Sequence, residues 1–471
     1  MTVSDQDFVS ATISDLSPLI QERKLSPVEI TRWHLERISK LNGSLNAFLT
    51  VLADDAISQA RTAENEIARG HYRGPLHGIP IALKDIIAVK GVRMTCGSRV
   101  LGDRVSTRDA TVVARLREAG AVLLGTLHLH EFAWGATSIN PHFGNARNPW
   151  NPDRIPGGSS GGSAVAVAAS MAMATLGTDT GGSVRIPSSL CGTTGLKPTY
   201  GRISRDGVFP LCNSLDHIGV LTKNARDAAL VLRAIAGTDS RDPASAHRQV
   251  PDYSQGLEDS IRGIRVGCLR GFFAEDLSDD VKSAVETAVG HLLDLGAQVE
   301  ELSLPLMNHV PGTSLAIMTA ESYAVHEHFL RERAYEYGAD VRLRLLMGAM
   351  VSASQYLKAQ RFRRLLCEQT AQAMNRFDVL VAPTTPIAAT PIGQEVITLG
   401  NRQIAVGTSL SRLTRPANMM GLPAISVRCG FSTEGLPLGF QIIGRPFEEA
   451  TILRVAHAYQ TTTEWHRRRP L

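Results

Sequence analysis

Two glycine-rich segments that carry serines constrain this chain more than any other feature. The first is 157–163 (Gly-Gly-Ser-Ser-Gly-Gly-Ser), and the second is 181–183 (Gly-Gly-Ser). Glycine permits backbone turns and close approaches that other residues resist, so such segments can form tight loops that expose N–H groups. Gly/Ser-rich composition is typical of flexible linkers, but the first segment continues directly into the apolar stretch 164–169. We therefore predict ordered loops packed against a buried helix.

A serine beside clustered backbone N–H groups can attack a carbonyl carbon while those groups bind the developing oxyanion. The serine also needs a base, and Lys84 follows the apolar run 79–83, which predicts a buried strand. Burial disfavours the charged form of a lysine and lowers its pKa, so that it can accept a proton. A lysine after a strand is more often a surface charge, so this assignment depends on the serine segments.

These segments resemble the amidase signature family, whose members are serine amidohydrolases. Three stretches carry the resemblance in the family's order and spacing: 157–163, 177–187 (Gly-Thr-Asp-Thr-Gly-Gly-Ser-Val-Arg-Ile-Pro) and 191–198 (Cys-Gly-Thr-Thr-Gly-Leu-Lys-Pro). The resemblance extends to 439–444 near the carboxyl end, and it is weakest between about 240 and 375. It implies an α/β fold, a single large α/β/α sandwich with a mixed central sheet, and a triad of two serines and one lysine.

By this resemblance the nucleophile is Ser183, the bridging serine is Ser159, which follows a cis peptide bond from Gly158, and the general base is Lys84. The backbone N–H groups of the oxyanion hole are those of Thr180, Gly181 and Gly182, together with that of Ser183. A serine hydroxyl both donates and accepts hydrogen bonds, so Ser159 can pass the proton of Ser183 on to Lys84. The resemblance thus predicts an amidase that forms an acyl-enzyme on Ser183.

A different serine hydrolase site has to be weighed. Residues 157–161 fit the Gly-x-Ser-x-Gly nucleophile elbow, and Asp216 and His217 follow downstream. That elbow requires a strand directly before the serine. The preceding segment 148–156 is instead rich in proline, which is typical of turns. We therefore interpret Asp216 and His217 as structural residues.

Composition restricts the partners. The chain has 471 residues with 49 basic and 45 acidic side chains, a net charge of +4, so it predicts neither nucleic-acid nor membrane binding. Six cysteines lack Cys-x-x-Cys spacing, which argues against a zinc site or disulfides and favours the cytoplasm. The first residues show no export signal. Hydroxyls, an amine and N–H groups suffice for amide hydrolysis, so we expect no metal and no organic cofactor. A homodimer is left open.

Alternating helix and strand patterns predict one α/β domain over residues 1–471, which by the resemblance is an amidase domain. In it, residues of about 240–375 form a more variable, mostly helical cover over the active site. Strands are predicted at 79–83, 121–124, 265–269, 297–301, 379–382, 424–428 and 438–443. Helices are predicted at 26–41, 53–69, 108–119, from 163 onward, and at 280–295, 354–376 and 449–460.

A comparison with one branch of the amidase signature family leads to an expectation about the substrate. The glutamine-hydrolysing subunit of tRNA-dependent amidotransferases is similar to this chain through 197–202 (Lys-Pro-Thr-Tyr-Gly-Arg) and 214–219 (Ser-Leu-Asp-His-Ile-Gly). That branch carries an acidic residue for the glutamine amine, and the corresponding stretch 407–416 has no acid. A buried ammonium without a carboxylate partner binds poorly. We therefore expect a stand-alone bacterial-type amidase. One alternative is the glutamine-hydrolysing A subunit. The other is a binding subunit that is catalytically inactive.

By resemblance, the segment 132–137 borders the acyl pocket, with Trp134 as an aromatic wall. Packing in the core is an equally common fate of a tryptophan. Further wall is expected from 315–323 and 347–350, which are apolar. These residues favour a small-molecule substrate, an apolar or aryl amide or a related ester, anilide or carbamate.

Overall fold

An eleven-stranded mixed β-sheet runs through the computed structural model, which describes residues 5–470. A separate hairpin of two strands lies beside it. The strands are β1 (Phe48–Val51), β2 (Pro80–Lys84), β3 (Val122–Leu127), β4 (Ala174–Asp179), β5 (Thr194–Lys197), β6 (His217–Thr222), β7 (Arg265–Leu269), β8 (Gln298–Leu302), β9 (Val379–Pro383), β10 (Val396–Leu399), β11 (Arg402–Ala405), β12 (Ala424–Phe431) and β13 (Pro437–Gly444). Residues 1–4 lie outside the described residues. They begin the segment in which the sequence shows no export signal.

Helices cover the sheet. They are α1 (Asp5–Ser10), α2 (Ile13–Gln21), α3 (Pro27–Leu45), α4 (Ala53–Ala68), α5 (Thr111–Glu118), α6 (Gly161–Ala168), α7 (Arg185–Cys191), α8 (Ala225–Ile235), α9 (Asp279–Asp294), α10 (Val310–Arg333), α11 (Ala339–Gly348), α12 (Ala353–Met374), α13 (Val406–Arg412), α14 (Arg415–Met419) and α15 (Glu449–Thr461). Within the described part of the chain, none of them is long and apolar enough to cross a membrane.

The strand order is β1-β3-β2-β4-β6-β5-β12-β13-β9-β7-β8. Strand β2 pairs in parallel with both β3 and β4, whereas β6, β5, β12 and β13 pair antiparallel with their neighbours. The predicted α/β class with a mixed central sheet is therefore confirmed. Because β2 and β4 are parallel, their carboxyl ends meet at one edge of the sheet, where Lys84 and Asp179 end the two strands.

Helix α6 lies directly over this part of the sheet and is entirely buried, as are β2 and β4. Small residues make that possible. A Cβ placed on Gly162 would lie 2.6 Å from the carbonyl oxygens of both Ala47 and His128, so only glycine lets the helix begin so close to the neighbouring backbone. The serine segment 157–163 is thus an ordered loop that leads into a buried helix, as predicted.

Residues 240–375 contribute more than helices, since β7 and β8 form one end of the main sheet. The sequence predicts both strands, and β7 has the predicted bounds. Helix α10 packs against α11, α12 and α14. Its residue Met318 lies 4.0 Å from the position that a Cβ on Gly181 would occupy, so α10 covers the second serine loop. A single domain over the whole chain stays a prediction.

Candidate active site

Lys84 is the last residue of β2, and its side chain is completely buried. Its Nζ donates hydrogen bonds to Ser159 Oγ at 2.7 Å, to Thr178 Oγ1 at 2.8 Å and to Ser160 Oγ at 3.0 Å. The structure thus joins the predicted base to the predicted bridging serine. Thr178 comes from the neighbouring parallel strand β4, so the register of β2 and β4 fixes the position of the amine.

All three partners of Lys84 are neutral hydroxyls, so none of them stabilises its charge as a carboxylate would. Burial lowers the pKa of Lys84 to about 7, although Asp179 and Asp216, which are not in contact with it, act in the opposite direction. A large fraction of the amine is therefore neutral near pH 7. A neutral amine that receives a hydrogen bond from a serine can act as its base.

The two serine loops contact each other through their backbones. Ser160 N donates to Ser183 O at 3.1 Å, and His130 N donates to Ser159 O, also at 3.1 Å. The peptide bond between Gly158 and Ser159 is cis. Ser183 is 8% exposed, and its hydroxyl has no hydrogen-bond partner among the described residues. The predicted nucleophile is thus held beside the Lys84–Ser159 pair and keeps an unengaged hydroxyl.

The N–H groups around Ser183 divide into two kinds. Gly182 N donates to Asp179 Oδ1 at 2.8 Å, so this predicted oxyanion donor fixes the loop instead. The N–H groups of Gly181 and Ser183 meet no acceptor within the described part of the chain. Thr180 is held by its side chain, which donates to Asp216 Oδ1 at 2.6 Å. In this arrangement the N–H groups of Gly181 and Ser183 are available to an oxyanion, as is that of Thr180, which also meets no acceptor among the described residues.

A buried ion pair stabilises the loop that carries Ser183. Arg185 Nε lies 3.0 Å from Asp179 Oδ2, and both side chains are inaccessible to solvent. The guanidinium also donates to Gln441 on β13, to Thr414 O and to Asn418 on α14. Burial alone would raise the pKa of Asp179, but the Arg185 charge and its hydrogen bonds hold that pKa well below its usual range. This pair connects the Ser183 loop to β13 and α14.

We expect Arg185→Met to reduce the free energy of unfolding by about 3–5 kcal/mol, because it leaves the Asp179 carboxylate buried without its cation. Urea denaturation followed by tryptophan fluorescence measures the change. Arg331→Met is the control, since the Arg331–Glu327 pair is exposed and an i,i+4 pair contributes only about 0.5 kcal/mol. Equal losses in the two variants would show that the buried pair does not hold the fold together.

Asp216 and His217 have structural contacts, as the sequence interpretation holds. Asp216 accepts from Leu211 N and Cys212 N as well as from Thr180. His217 Nδ1 lies 2.6 Å from Leu215 O. Neither side chain contacts Ser159 or Ser183, so they do not complete a Ser-His-Asp site. Within the described residues, no group of three or more His, Cys, Asp or Glu side chains is placed to hold a metal ion.

The structure places the residues of the predicted pocket wall in different surroundings. Trp134 is only 5% exposed and belongs to the hydrophobic core, and its carbonyl accepts a hydrogen bond from Arg344. Met350 is 83% exposed on the outside. A cavity of about 600 Å³ is lined by Thr178, which is a partner of Lys84, and by Thr180. Trp134 as a substrate contact stays a prediction.

Sequence reasoning missed Ser160 and Thr178 as partners of Lys84, and it missed Arg415. Thr178 could have been found only from the parallel pairing of β2 with β4, a strand that the sequence does not predict. Arg415 lies in the stretch 407–416, which the sequence analysis considers only for its lack of an acid. In the structure its side chain lies against Gly181: a Cβ placed there would be 3.8 Å from Arg415 Nε.

Comparison with known proteins places this site in a family. The family model described as Amidase matches residues 29–453. The A subunit of glutamyl-tRNA(Gln) amidotransferase from Moorella thermoacetica is 42% identical over 483 residues, which cover 98% of this chain and 98% of that protein. The solved structure of the same subunit from Thermotoga maritima superposes with a TM-score of 0.82 at 36% identity, over 97% of this chain and 96% of that one. A complex described as vestigial, and as revealing the evolutionary origins of an s-triazine catabolic enzyme, superposes with a TM-score of 0.93 at 34% identity, over 96% and 98%.

The chain therefore belongs to the amidase family, and the resemblance drawn from the sequence is confirmed. The expectation of a stand-alone amidase for small apolar or aryl amides, without a nucleic-acid partner, is wrong. Relatives that are 40–42% identical over 98% of this chain are A subunits of glutamyl-tRNA(Gln) amidotransferase. The lack of an acid in 407–416, on which that expectation depends, thus does not exclude this branch.

Proposed function

We propose that this member of the amidase family hydrolyses glutamine as the A subunit of a tRNA-dependent amidotransferase. The observation that carries the proposal is the 42% identity to such a protein over 98% of both chains. The contact between Lys84 and Ser159, beside a serine with an unengaged hydroxyl, is consistent with it.

In this proposal Ser183 Oγ attacks the side-chain amide carbon of glutamine. The serine proton moves through the Ser159 hydroxyl to the neutral amine of Lys84, while the N–H groups of Gly181 and Ser183 bind the oxyanion. The C–N bond then breaks, and the proton returns along the same path to the leaving nitrogen, so that ammonia departs. Water, deprotonated by Lys84 through Ser159, attacks the ester on Ser183; the bond from the acyl carbon to Oγ breaks, the proton returns to Ser183 Oγ, and glutamate is released. Each proton that Lys84 accepts is thus returned within the cycle.

The ammonia is proposed to be used by partner subunits that act on glutamyl-tRNA(Gln), as the name of the relatives indicates. The stretch 407–416 provides no acid for the α-ammonium group of glutamine. That group therefore pairs with an acid elsewhere or stays in contact with water. We place the protein in the cytoplasm, where tRNA is charged, and its six cysteines are unpaired as a reducing compartment leaves them.

The test combines the chain with the partner subunits of its own organism and glutamyl-tRNA(Gln). We expect glutamine-dependent formation of glutaminyl-tRNA and release of ammonia from glutamine, with faster glutamine hydrolysis in the assembled complex. The control complex contains Ser183→Ala and should use free ammonia but not glutamine, because only the hydrolytic site is lost. Failure of the wild-type complex to hydrolyse glutamine in the presence of charged tRNA would overturn the proposal.

A further inference from the structure

Arg415 is the first residue of α14, and its half-buried guanidinium has almost no partner within the described residues. Its Nη1 reaches Ser314 Oγ at 3.4 Å, a long hydrogen bond, and its Nε is buried without any partner. Among the described residues no carboxylate forms an ion pair with it. A cation that is partly removed from water and left unpaired is unfavourable, and proteins compensate such charges with anions or strong hydrogen bonds.

The neighbouring arginines show what compensation looks like in this fold. Arg412, three residues earlier, donates to the carbonyl oxygens of Phe272 and Glu275. Arg185 has Asp179 and a set of carbonyl and amide oxygens. Arg344 pairs with Asp340 at 3.2 Å. The site of Arg415 is different because it offers the guanidinium one weak hydroxyl contact and no anion.

The position of Arg415 is set by the loop that surrounds the nucleophile. Thr414 Oγ1 donates to Gly181 O at 2.7 Å, which fixes the backbone of the preceding residue against that loop. A Cβ on Gly181 would lie 3.4 Å from Arg415 Cγ and 3.8 Å from Nε. Arg415 therefore lies beside an N–H group that is available to an oxyanion, two residues from Ser183. The side chain is half-buried, so it also borders open space.

The guanidinium keeps one N–H group accessible to a ligand. Nη1 faces Ser314 and Nε is shielded from solvent, whereas Nη2 makes no hydrogen bond within the described residues and is not one of their buried atoms. A cationic N–H donor of this kind matches a carboxylate oxygen. Burial lowers the pKa of Arg415 to about 10, with Arg344 contributing, so the group is still cationic at neutral pH.

We infer that Arg415 binds a carboxylate of the substrate and makes this site selective for amides that carry an acidic group. The inference deepens the proposed function and rests on it for the hydrolysis of an amide at Ser183. With glutamine, the group bound would be the α-carboxylate. The stretch 407–416 thus provides a positive charge beside the oxyanion loop and no acid.

The experiment compares three amides of equal chain length: glutamine, glutaramate, which has the carboxylate but no ammonium, and pentanamide, which has neither. For the wild-type protein in its assembled complex, we expect kcat/KM for glutaramate to exceed that for pentanamide by about 100-fold, as for hydrogen bonds to a charged group. Arg415→Met should reduce this ratio to about one, mainly through KM. Arg415→Lys should restore part of it, because a lysine keeps the charge but not the position of the guanidinium N–H group.

Arg412→Met is the matched control, since that arginine lies on the same segment and contacts the backbone carbonyls of 272 and 275 and the ring of Phe272. It should keep the wild-type ratio, and thermal unfolding of every variant checks the fold. A second measurement needs no turnover. Glutarate should slow the labelling of Ser183 by a fluorophosphonate in the wild type and in Arg412→Met, but not in Arg415→Met.

A wild-type ratio near one, a ratio that survives in Arg415→Met, or no protection by glutarate would overturn the inference. Its failure can be separated from that of the proposed function. Turnover of glutaramate without turnover of glutamine would support carboxylate binding by Arg415 and contradict the glutaminase proposal. Turnover of glutamine that Arg415→Met leaves unaltered would support the glutaminase proposal and contradict carboxylate binding by Arg415.

Discussion

Ser183→Ala is expected to abolish amide hydrolysis, with a loss of about 10⁴-fold or more in kcat, and to abolish covalent labelling by a fluorophosphonate. The reason is geometric. Ser183 shares its loop with the unengaged N–H groups, and its hydroxyl has no competing partner among the described residues. Without that hydroxyl no acyl-enzyme forms, and the Lys84–Ser159 pair has no proton to receive from a nucleophile. Ammonia release and intact mass measure the two effects.

Ser189→Ala is the matched control for this prediction. Ser189 is a buried serine on α7, the helix that follows the Ser183 loop, and its hydroxyl contacts Thr385 Oγ1 at 3.0 Å. The control variant should label and turn over like the wild type. Peptide mapping of the labelled wild-type protein identifies the modified residue. An adduct on Ser159 would reverse the roles proposed for the two serines.

Several strands of the sheet were predicted with accurate bounds, whereas two strands in its interior were missed. The sequence predicts β7, β9 and β13 because apolar residues dominate them, and their bounds agree within one residue. It does not predict β4 (Ala-Thr-Leu-Gly-Thr-Asp) or β6 (His-Ile-Gly-Val-Leu-Thr). Both strands are buried between neighbours on each side, and they contain polar residues, such as Thr178 and His217, that form hydrogen bonds in the interior. Burial in the middle of a sheet therefore left no simple periodic pattern in these segments.

Some contacts of the candidate site could likewise be predicted from the sequence, and others could not. The resemblance pairs Lys84 with Ser159, and the structure brings them into contact. Thr178 was not predictable from local pattern, because its contact with Lys84 depends on the register in which Leu83 lies opposite Leu176. Arg415 was missed because its segment was compared with the amidotransferase branch only for the acidic residue that binds the glutamine amine. A charge that is present without a partner can be recognised only when the surrounding residues are placed.

Lys84→Met is expected to lower kcat/KM by about 10³-fold, within the range of general base catalysis. The change removes the amine that accepts the proton, while an unbranched apolar side chain of similar length keeps the buried volume filled. The fold should survive, because replacing a buried charged or polar group by an apolar one of similar size is often neutral. Ser159→Ala should be milder, since water can partly replace a hydroxyl relay. A K84M variant with a normal thermal midpoint and normal activity would remove Lys84 from the mechanism.

The pH dependence of the wild-type enzyme tests the same residue without a substitution. Burial lowers the pKa of Lys84 to about 7, and only the neutral amine, which predominates above that pKa, can accept a proton. We therefore expect kcat/KM to rise with pH through an ionisation near 7 and to level off above it, far below the ~10.4 of a solvated lysine. Below pH 6 the protonated amine keeps its hydrogen bonds to the hydroxyls but has no lone pair for the Ser183 proton. A flat profile between pH 6 and 9, measured where chemistry limits the rate, would contradict a titrating lysine base.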